Sequence, residues 1–244
     1  MTSSDVWTVE QAKRYDSEDG MFSPEVLAPT VDALVAMADG GRVLELAIGT
    51  GRVAVPLRAR GVSVAGIELS AAMVEQLRTK VTPEEIPVAI GDMATTPVKG
   101  EFSLVYLVYD TIGNLCTQQE QVECFRNAAR HLSPGGRFVV EVGVPSLRRL
   151  PPGQAAVPFD VSDKHLGFDT YDLVSQQAGS HHLTRQADGT YLRGTHNYRY
   201  VWPSELDLMA QLAGMQLERR TQDWVATPFT SQSEGHVSVW RLTS

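Results

Sequence analysis

Arg42-Val-Leu-Glu-Leu-Ala-Ile-Gly-Thr-Gly-Arg52 is the stretch on which the fold turns. Val43-Leu44-Glu45-Leu46 reads as a short buried strand. It runs into a glycine-bearing turn, Gly49-Thr50-Gly51, and Val53, Ala54, Val55 and Leu57 then open a helix. A strand, a tight glycine turn and a helix form the first half of a nucleotide-binding βα unit. The glycines permit a sharp turn and let a ligand come close to main-chain N–H groups.

Downstream, the same unit repeats. Val62–Ile67 is a second apolar run that stops at Glu68, and Ser70 caps a helix whose apolar face is Ala71, Met73, Val74 and Leu77. Ile86–Ile90 runs into Gly91-Asp92-Met93, and Phe102–Val108 ends in Tyr109-Asp110. Thr117-Gln-Gln-Glu120 is a capping box for a helix through Val122, Phe125, Ala128 and Leu132. Ser133-Pro-Gly-Gly136 turns the chain into a fifth strand, Arg137–Val142. Continuous apolar strands alternating with helices predict an α/β fold, a mostly parallel sheet with helices on both faces and right-handed crossovers.

Upstream, residues 1–40 read as a helical arm or lid. It carries Trp7, Tyr15 and the acidic run Asp16-Ser17-Glu18-Asp19, followed by a helix start at Ser23-Pro24-Glu25. Pro29 is expected to kink that helix or divide it. Beyond strand five the pattern changes. Residues 151–201 alternate polar and apolar, with a hairpin signal at Asp188-Gly189, and read as an antiparallel β insertion that covers substrate or contacts a second copy. Residues 202–244 return to the core with a helix from Pro203 and strands near 215–220 and 236–242. The expected organisation is therefore an arm (1–40), a core (41–150 with 202–244) and an insertion (151–201).

The chain has 244 residues, of which 43% are hydrophobic and 20% charged, enough for one sizeable core. Its formal net charge of −8 disfavours nucleic acid and anionic membranes as partners. No apolar run reaches the length of a membrane span, and the N-terminus lacks the features of a signal peptide, so a cytoplasmic monomer or homodimer is expected. Cys116 and Cys124 match neither zinc nor redox spacing and are expected to be reduced.

Four features stand at the ends of successive strands: Glu45 with the glycine turn, Glu68, Asp92, and Tyr109-Asp110. In an open parallel sheet, ligands bind beyond these carboxyl ends, near the switch in strand order. A carboxylate after strand two suits the hydroxyls of a ribose, and one after strand three suits an adenine amine. Residues 42–142 resemble the class I S-adenosylmethionine-dependent methyltransferases. The first motif matches Glu45-Leu-Ala47-Ile-Gly49-Thr-Gly51, the ribose-binding acid matches Glu68, the adenine motif matches Gly91-Asp92-Met93, and the turn before strand five matches Leu132-Ser-Pro-Gly-Gly136. The insertion is similar to that of small-molecule, natural-product and amino-sugar methylating members.

The resemblance implies a Rossmann-like three-layer sandwich that binds S-adenosyl-L-methionine and methylates N or O of a small-molecule acceptor. It implies a cofactor site made of Tyr15, Glu45, Ala47, Gly49, Gly51, Arg52, Glu68, Leu69, Met73, Gly91, Asp92, Met93 and Tyr109. Ala47 departs from the family, which more often has glycine there; alanine is tolerated if its φ is negative. Two other readings fit parts of the pattern. Gly49-x-Gly51-x-x-Ala54 also matches a dinucleotide fingerprint, as in a nicotinamide-dependent oxidoreductase. Against it stand an acid inside the first motif and the lack of a second βαβαβ half. A cofactor-binding protein without catalysis would suit Ala47 and the absence of a conspicuous base.

Methyl transfer from a sulfonium depends mainly on placing the nucleophile. Candidate catalytic residues are Asp110, which can orient or deprotonate an acceptor or simply cap a turn, Tyr15 in the arm, and His182 in the insertion. Tyr109, Asp110, Asn114, Tyr200 and Trp202 are candidates for the acceptor pocket, with turn stabilisation or core packing as the alternative for each. His181 and His182 are neighbours on a strand and face opposite sides, so no metal site is expected there.

Overall fold

A computed structural model describes residues 7–16 and 23–243. The Ser17-Glu18-Asp19 part of the acidic run lies outside them. A central sheet has the order β10-β11-β5-β4-β1-β2-β3. Its strands are β1 (Val43–Leu46), β2 (Val64–Glu68), β3 (Val88–Ile90), β4 (Phe102–Leu107), β5 (Leu132–Gly143), β10 (Met215–Thr221) and β11 (Gly235–Leu242). β1 to β5 are mutually parallel, whereas β11 is antiparallel to β5 and β10 to β11. The order reverses between β1 and β4, so the crevice lies beyond their carboxyl ends.

The helices are α1 (Val9–Tyr15), α2 (Pro24–Ala38), α3 (Ala54–Ala59), α4 (Ala71–Leu77), α5 (Gln118–His131) and α6 (Pro203–Leu212). Alternate residues of each central strand feed two cores. Leu44, Leu46, Val105, Leu107, Phe138 and Val140 join Phe125 of α5 and Leu206 of α6. Val43, Leu104, Tyr106 and Val139 join Leu34 of α2, Leu57 of α3 and Leu77 of α4. Burial on both faces is why these strands read as unbroken apolar runs. The result is the three-layer α/β sandwich that the sequence predicts.

Two local expectations change. Pro29 does not divide α2, which runs as one helix from Pro24 to Ala38. The N–H that proline lacks would pair with the carbonyl of Glu25, an exposed residue of the first turn, where water can satisfy it. The helix ends where Asp39 turns left-handed (φ 49°). Strand β5 begins at Leu132 rather than Arg137, because Leu132 pairs with Phe102 across a register shift and draws the Ser133–Gly136 turn into the strand.

Between β5 and α6 the chain makes a separate antiparallel sheet, β6 (Ala156–Val161), β7 (His165–Tyr171), β8 (Gln177–Arg185) and β9 (Tyr191–Arg199), in that order. Arg199, 4% exposed, fastens it to the core. Its guanidinium donates to Gln121 of α5, to Gln176 and to Glu205 of α6. No helix among the described residues is long and apolar enough to cross a membrane.

Candidate active site

The strand ends meet at two adjoining cavities. The first, of about 350 Å³, is lined by Tyr15, Glu45, Ala47, Gly49, Arg52, Glu68, Leu69, Met73, Gly91, Asp92, Met93 and Tyr109, with Trp7, Ile48, Thr50 and Ile67 beside them. Of the residues that the family resemblance implied, only Gly51 is absent from this wall. It acts from behind: at φ 82° it is left-handed, and a Cβ there would run into Leu77 of α4.

Glu45 pairs with Tyr106 across β1 and β4 and is 3% exposed. Tyr106 Oη donates to Glu45 Oε2 at 2.7 Å. Burial pushes the Glu45 carboxyl up to about 8, against the hydrogen bond from Tyr106 and the charge of Arg52, which favour ionisation. Glu68 closes the glycine turn. Its Oε2 accepts from the N–H of Gly49 and its Oε1 from the N–H of Ser70, each at 2.8 Å. Burial raises its pKa while these backbone donors lower it. Asp92 Oδ1 accepts from the N–H of Ala94 at 2.7 Å.

Ala47 corrects the expectation attached to it. Its φ is +53°, the left-handed region, where an L side chain costs about 1–2 kcal/mol. The turn keeps this strain because Ile48 N–H donates to Ile67 O at 3.0 Å and Glu68 anchors Gly49. Tyr109 and Asp110 are left-handed as well, at φ 61° and 57°. Glu141 of β5 holds that second strained turn: its Oε2 accepts from Tyr109 N–H (3.0 Å) and its Oε1 from Trp224 Nε1 (2.7 Å). Asp110 Oδ1 accepts from Gly143 N–H. Strain of this kind clusters at functional sites. The Arg52 guanidinium lies 3.9 Å from the centre of the Tyr109 ring.

Helix α1 covers the mouth. Asp16 accepts from Thr50 Oγ1 of the glycine turn and pairs with Lys80, which also donates to Thr50 O at 2.9 Å. Tyr15 and Trp7 meet edge to face, their centroids 5.1 Å apart. They line both cavities, as do Tyr109, Thr111 and Asn114.

The second cavity, about 720 Å³, lies between the core and the insertion. Its wall includes Asp110, Gly143, Asp169, Tyr171, Ser180, His196, Tyr198, Arg199 and Tyr200. Asp110, Asn114, Tyr109, Tyr15 and Tyr200 are thus brought together as candidate residues. Asn114 serves its turn and the cavity alike, since it ends a short helical turn (Thr111–Asn114) and its Oδ1 lies 3.1 Å from His196 Nε2. Two candidates fall outside. Trp202 precedes α6 and meets Tyr200 edge to face from behind, at 6.4 Å. His182 lines neither cavity; its ring lies against His165 and Phe159. His181 turns to the other face of β8, stacked on Phe168 at 4.8 Å. Sequence reasoning missed Asp169, Tyr171 and Tyr198. The two-residue spacing of Asp169 and Tyr171, and of His196, Tyr198 and Tyr200, was the available signal, because it puts each set on one face of its strand.

The residues present fit S-adenosylmethionine. Glu45 is a deeply buried carboxyl in a crevice, where a cationic amino group would relieve the penalty on its charge, and Glu68 and Asp92 stand at the two following strand ends. Comparison with known proteins agrees. Residues 43–136 match a methyltransferase domain family. The fold superposes on the CcbJ methyltransferase from Streptomyces caelestis with a TM-score of 0.82 and 33% identity, covering 96% of each chain. The chain belongs to the S-adenosylmethionine-dependent methyltransferases. This methyltransferase is also 25% identical to a cypemycin N-terminal methyltransferase of Streptomyces over 238 residues, 96% of each chain. An amino pentose methyltransferase from Micromonospora echinaspora, solved with S-adenosylmethionine bound, shares the fold at TM-score 0.71 and 21% identity, covering 97% of this chain and 98% of that one. The cofactor is therefore S-adenosylmethionine, and the nicotinamide and non-catalytic readings fall away.

Proposed function

We propose that this methyltransferase N-methylates a small, amine-bearing natural-product acceptor. One observation carries the reading: the 720 Å³ cavity that adjoins the cofactor crevice is walled by two carboxylates, Asp110 and Asp169, and by the rings of Tyr171, Tyr198 and Tyr200. Its one arginine among the described residues, Arg199, is already paired with Glu205 at 2.7 Å. Carboxylates and aromatic faces attract an ammonium through its full charge, an attraction that a neutral hydroxyl lacks. The relatives named for an N-terminal amine and an amino pentose support the same class.

In this reading Glu45, Glu68 and Asp92 hold the cofactor's amino, ribose and adenine groups, the strained glycine turn brings main-chain N–H groups close to it, and Tyr15 closes over it. When bound, S-adenosylmethionine supplies a methyl group already activated on sulfonium sulfur. The chain's own task is then orientation, worth on the order of 7–11 kcal/mol when reacting groups are well placed. Tyr109, held left-handed by Glu141, separates the cavities. Asp110 and Asp169 hold the acceptor's charge, and the arm and insertion exclude water.

The test pairs amines with hydroxyl compounds of the same skeleton, in initial-rate assays of the wild type and of Asp110→Asn and Asp169→Asn. Asparagine at 110 retains an acceptor for Gly143 N–H, so the turn is preserved. Turnover of amines is expected, with KM raised roughly 5- to 50-fold in the variants from the loss of one charged contact and cofactor affinity unchanged. Turnover of hydroxyl compounds alone would overturn the reading.

A further inference from the structure

One face of the insertion sheet carries a line of polar groups that starts in the acceptor cavity and ends at the surface. Ser180, on the cavity wall, has its Oγ 3.2 Å from His182 Nε2. His182 Nδ1 lies 3.0 Å from His165 Nε2, and His165 Nδ1 lies 2.6 Å from Asp160 Oδ2. The chain crosses β8, β7 and β6 in turn. Its far end is open, the Asp160 side chain being 42% exposed.

Hydrogen-bond chemistry gives the line one direction. A carboxylate only accepts, so with both rings neutral His165 donates from Nδ1 and accepts at Nε2. His182 must then donate from Nδ1, which leaves its Nε2 lone pair to accept from the Ser180 hydroxyl. Both imidazoles are fixed in one tautomer, and basicity is directed at the cavity, by the logic of a serine–histidine–aspartate triad with one ring added. The packing is built for the rings. Phe159 covers both, at centroid distances of 5.4 Å from His182 and 6.3 Å from His165. Gly167, between His165 and Asp169 on β7, leaves the space that Phe159 and the His165 ring occupy, and a Cβ there would collide with both.

We propose that Ser180, His182, His165 and Asp160 form a relay that takes the proton from the bound acceptor ammonium. The inference rests on the amine reading above. The ammonium N–H passes its proton to Ser180 Oγ while the hydroxyl proton passes to His182 Nε2. The amine keeps its electron pair and becomes nucleophilic, and the positive charge moves to the imidazolium of His182, held by His165 and Asp160. The imidazolium returns its proton through Ser180 to water once the cavity empties. Ser180 is the group that touches the acceptor; His182, His165 and Asp160 are positioning residues that act through it. Other charged groups face the relay. His196 of β9 is paired with Ser180 and is near enough to His182 for their charges to oppose. Asp169 of β7 is paired with Ser180 from the other side, and Asp110 stands across the cavity. These two carboxylates balance the ammonium, whereas an imidazole is by nature the better acceptor of its proton.

Two measurements test the relay. The first is nitrogen NMR of the histidine side chains in the cofactor-loaded protein, for the wild type and Asp160→Asn. The Nδ1–H tautomer is expected at both His165 and His182, and the variant should shift the tautomer balance at His182 although that ring does not touch Asp160. An unchanged His182 would overturn the relay. The second is the pH profile of kcat on an amine of the panel for Ser180→Ala and His182→Gln. A loss on the order of 10- to 100-fold near pH 7 is expected, with recovery at high pH, where the amine is already neutral, and with cofactor affinity unchanged. Wild-type rates, or an equal loss at every pH, would overturn it. Should only hydroxyl compounds react, the amine reading fails and the relay with it; should amines react while both variants keep wild-type rates, the relay alone fails.

Discussion

A carboxyl as deeply buried as that of Glu45 keeps its proton at neutral pH, and this makes the cofactor site pH-dependent. Between pH 4.5, its ordinary value, and about 8 the folded protein holds a proton there that the unfolded chain has released. Stability of the cofactor-free protein therefore falls as pH rises through that window, and the raised pKa values of Glu68 and Asp110 act in the same direction. In the proposed site the cofactor's ammonium pairs with the Glu45 carboxylate, so binding should expel the proton and affinity should rise toward pH 8. Calorimetry at pH 6.5 in two buffers of different ionisation enthalpy should show proton release for the wild type and a markedly smaller release for Glu45→Gln; equal release would place the proton elsewhere. Glu68→Ala should weaken cofactor binding by roughly 1–3 kcal/mol, because charge-assisted contacts are lost and the N–H groups of Gly49 and Ser70 lose their acceptor. Unchanged affinity in the same calorimeter would put Glu68 outside the cofactor's reach. Glu45, Glu68 and Asp92 were legible in the sequence because motif spacing puts each at a strand end. The left-handed backbone of Ala47 was not, since it depends on contacts with Ile67 and Glu68 that only the folded turn supplies.

Among the elements, α1 is clasped to the glycine turn at its C-terminal end. It is a short helix with one fully buried side chain, Ala12, and Asp16 ties it to Thr50 and Lys80. Asp16→Ala should leave the fold intact and speed cofactor release about 5-fold, the equivalent of ~1 kcal/mol for a partly buried charged contact. Stopped-flow displacement reads this directly, and an unchanged release rate would mean that the arm does not retain the cofactor. The capping box at Thr117, the strand–turn–helix at 43–59 and the hairpin at Asp188-Gly189 were readable because each is fixed by local chemistry. The unbroken α2 and the early start of β5 were not. In the first a solvated carbonyl tolerates Pro29, and in the second pairing with Phe102 of another strand extends β5.

At the scale of the molecule, the core supplies the cofactor crevice, and the insertion closes the acceptor cavity against the core and the arm. The core announces its ligand because strand ends and glycine turns recur in a fixed order. The insertion announces little: Asp169, Tyr171, Ser180 and Tyr198 become a wall only when four strands align and Arg199 docks them on α5 and α6. The net charge of −8 and the paired carboxylates of the cavity both favour a cationic acceptor. Transfer from S-adenosylmethionine labelled with carbon-13 in its methyl group, followed by NMR of the product formed from an amino sugar or a peptide N-terminus, tests this most directly. A methyl carbon bonded to nitrogen is expected; label found only on oxygen would contradict an amine-methylating enzyme.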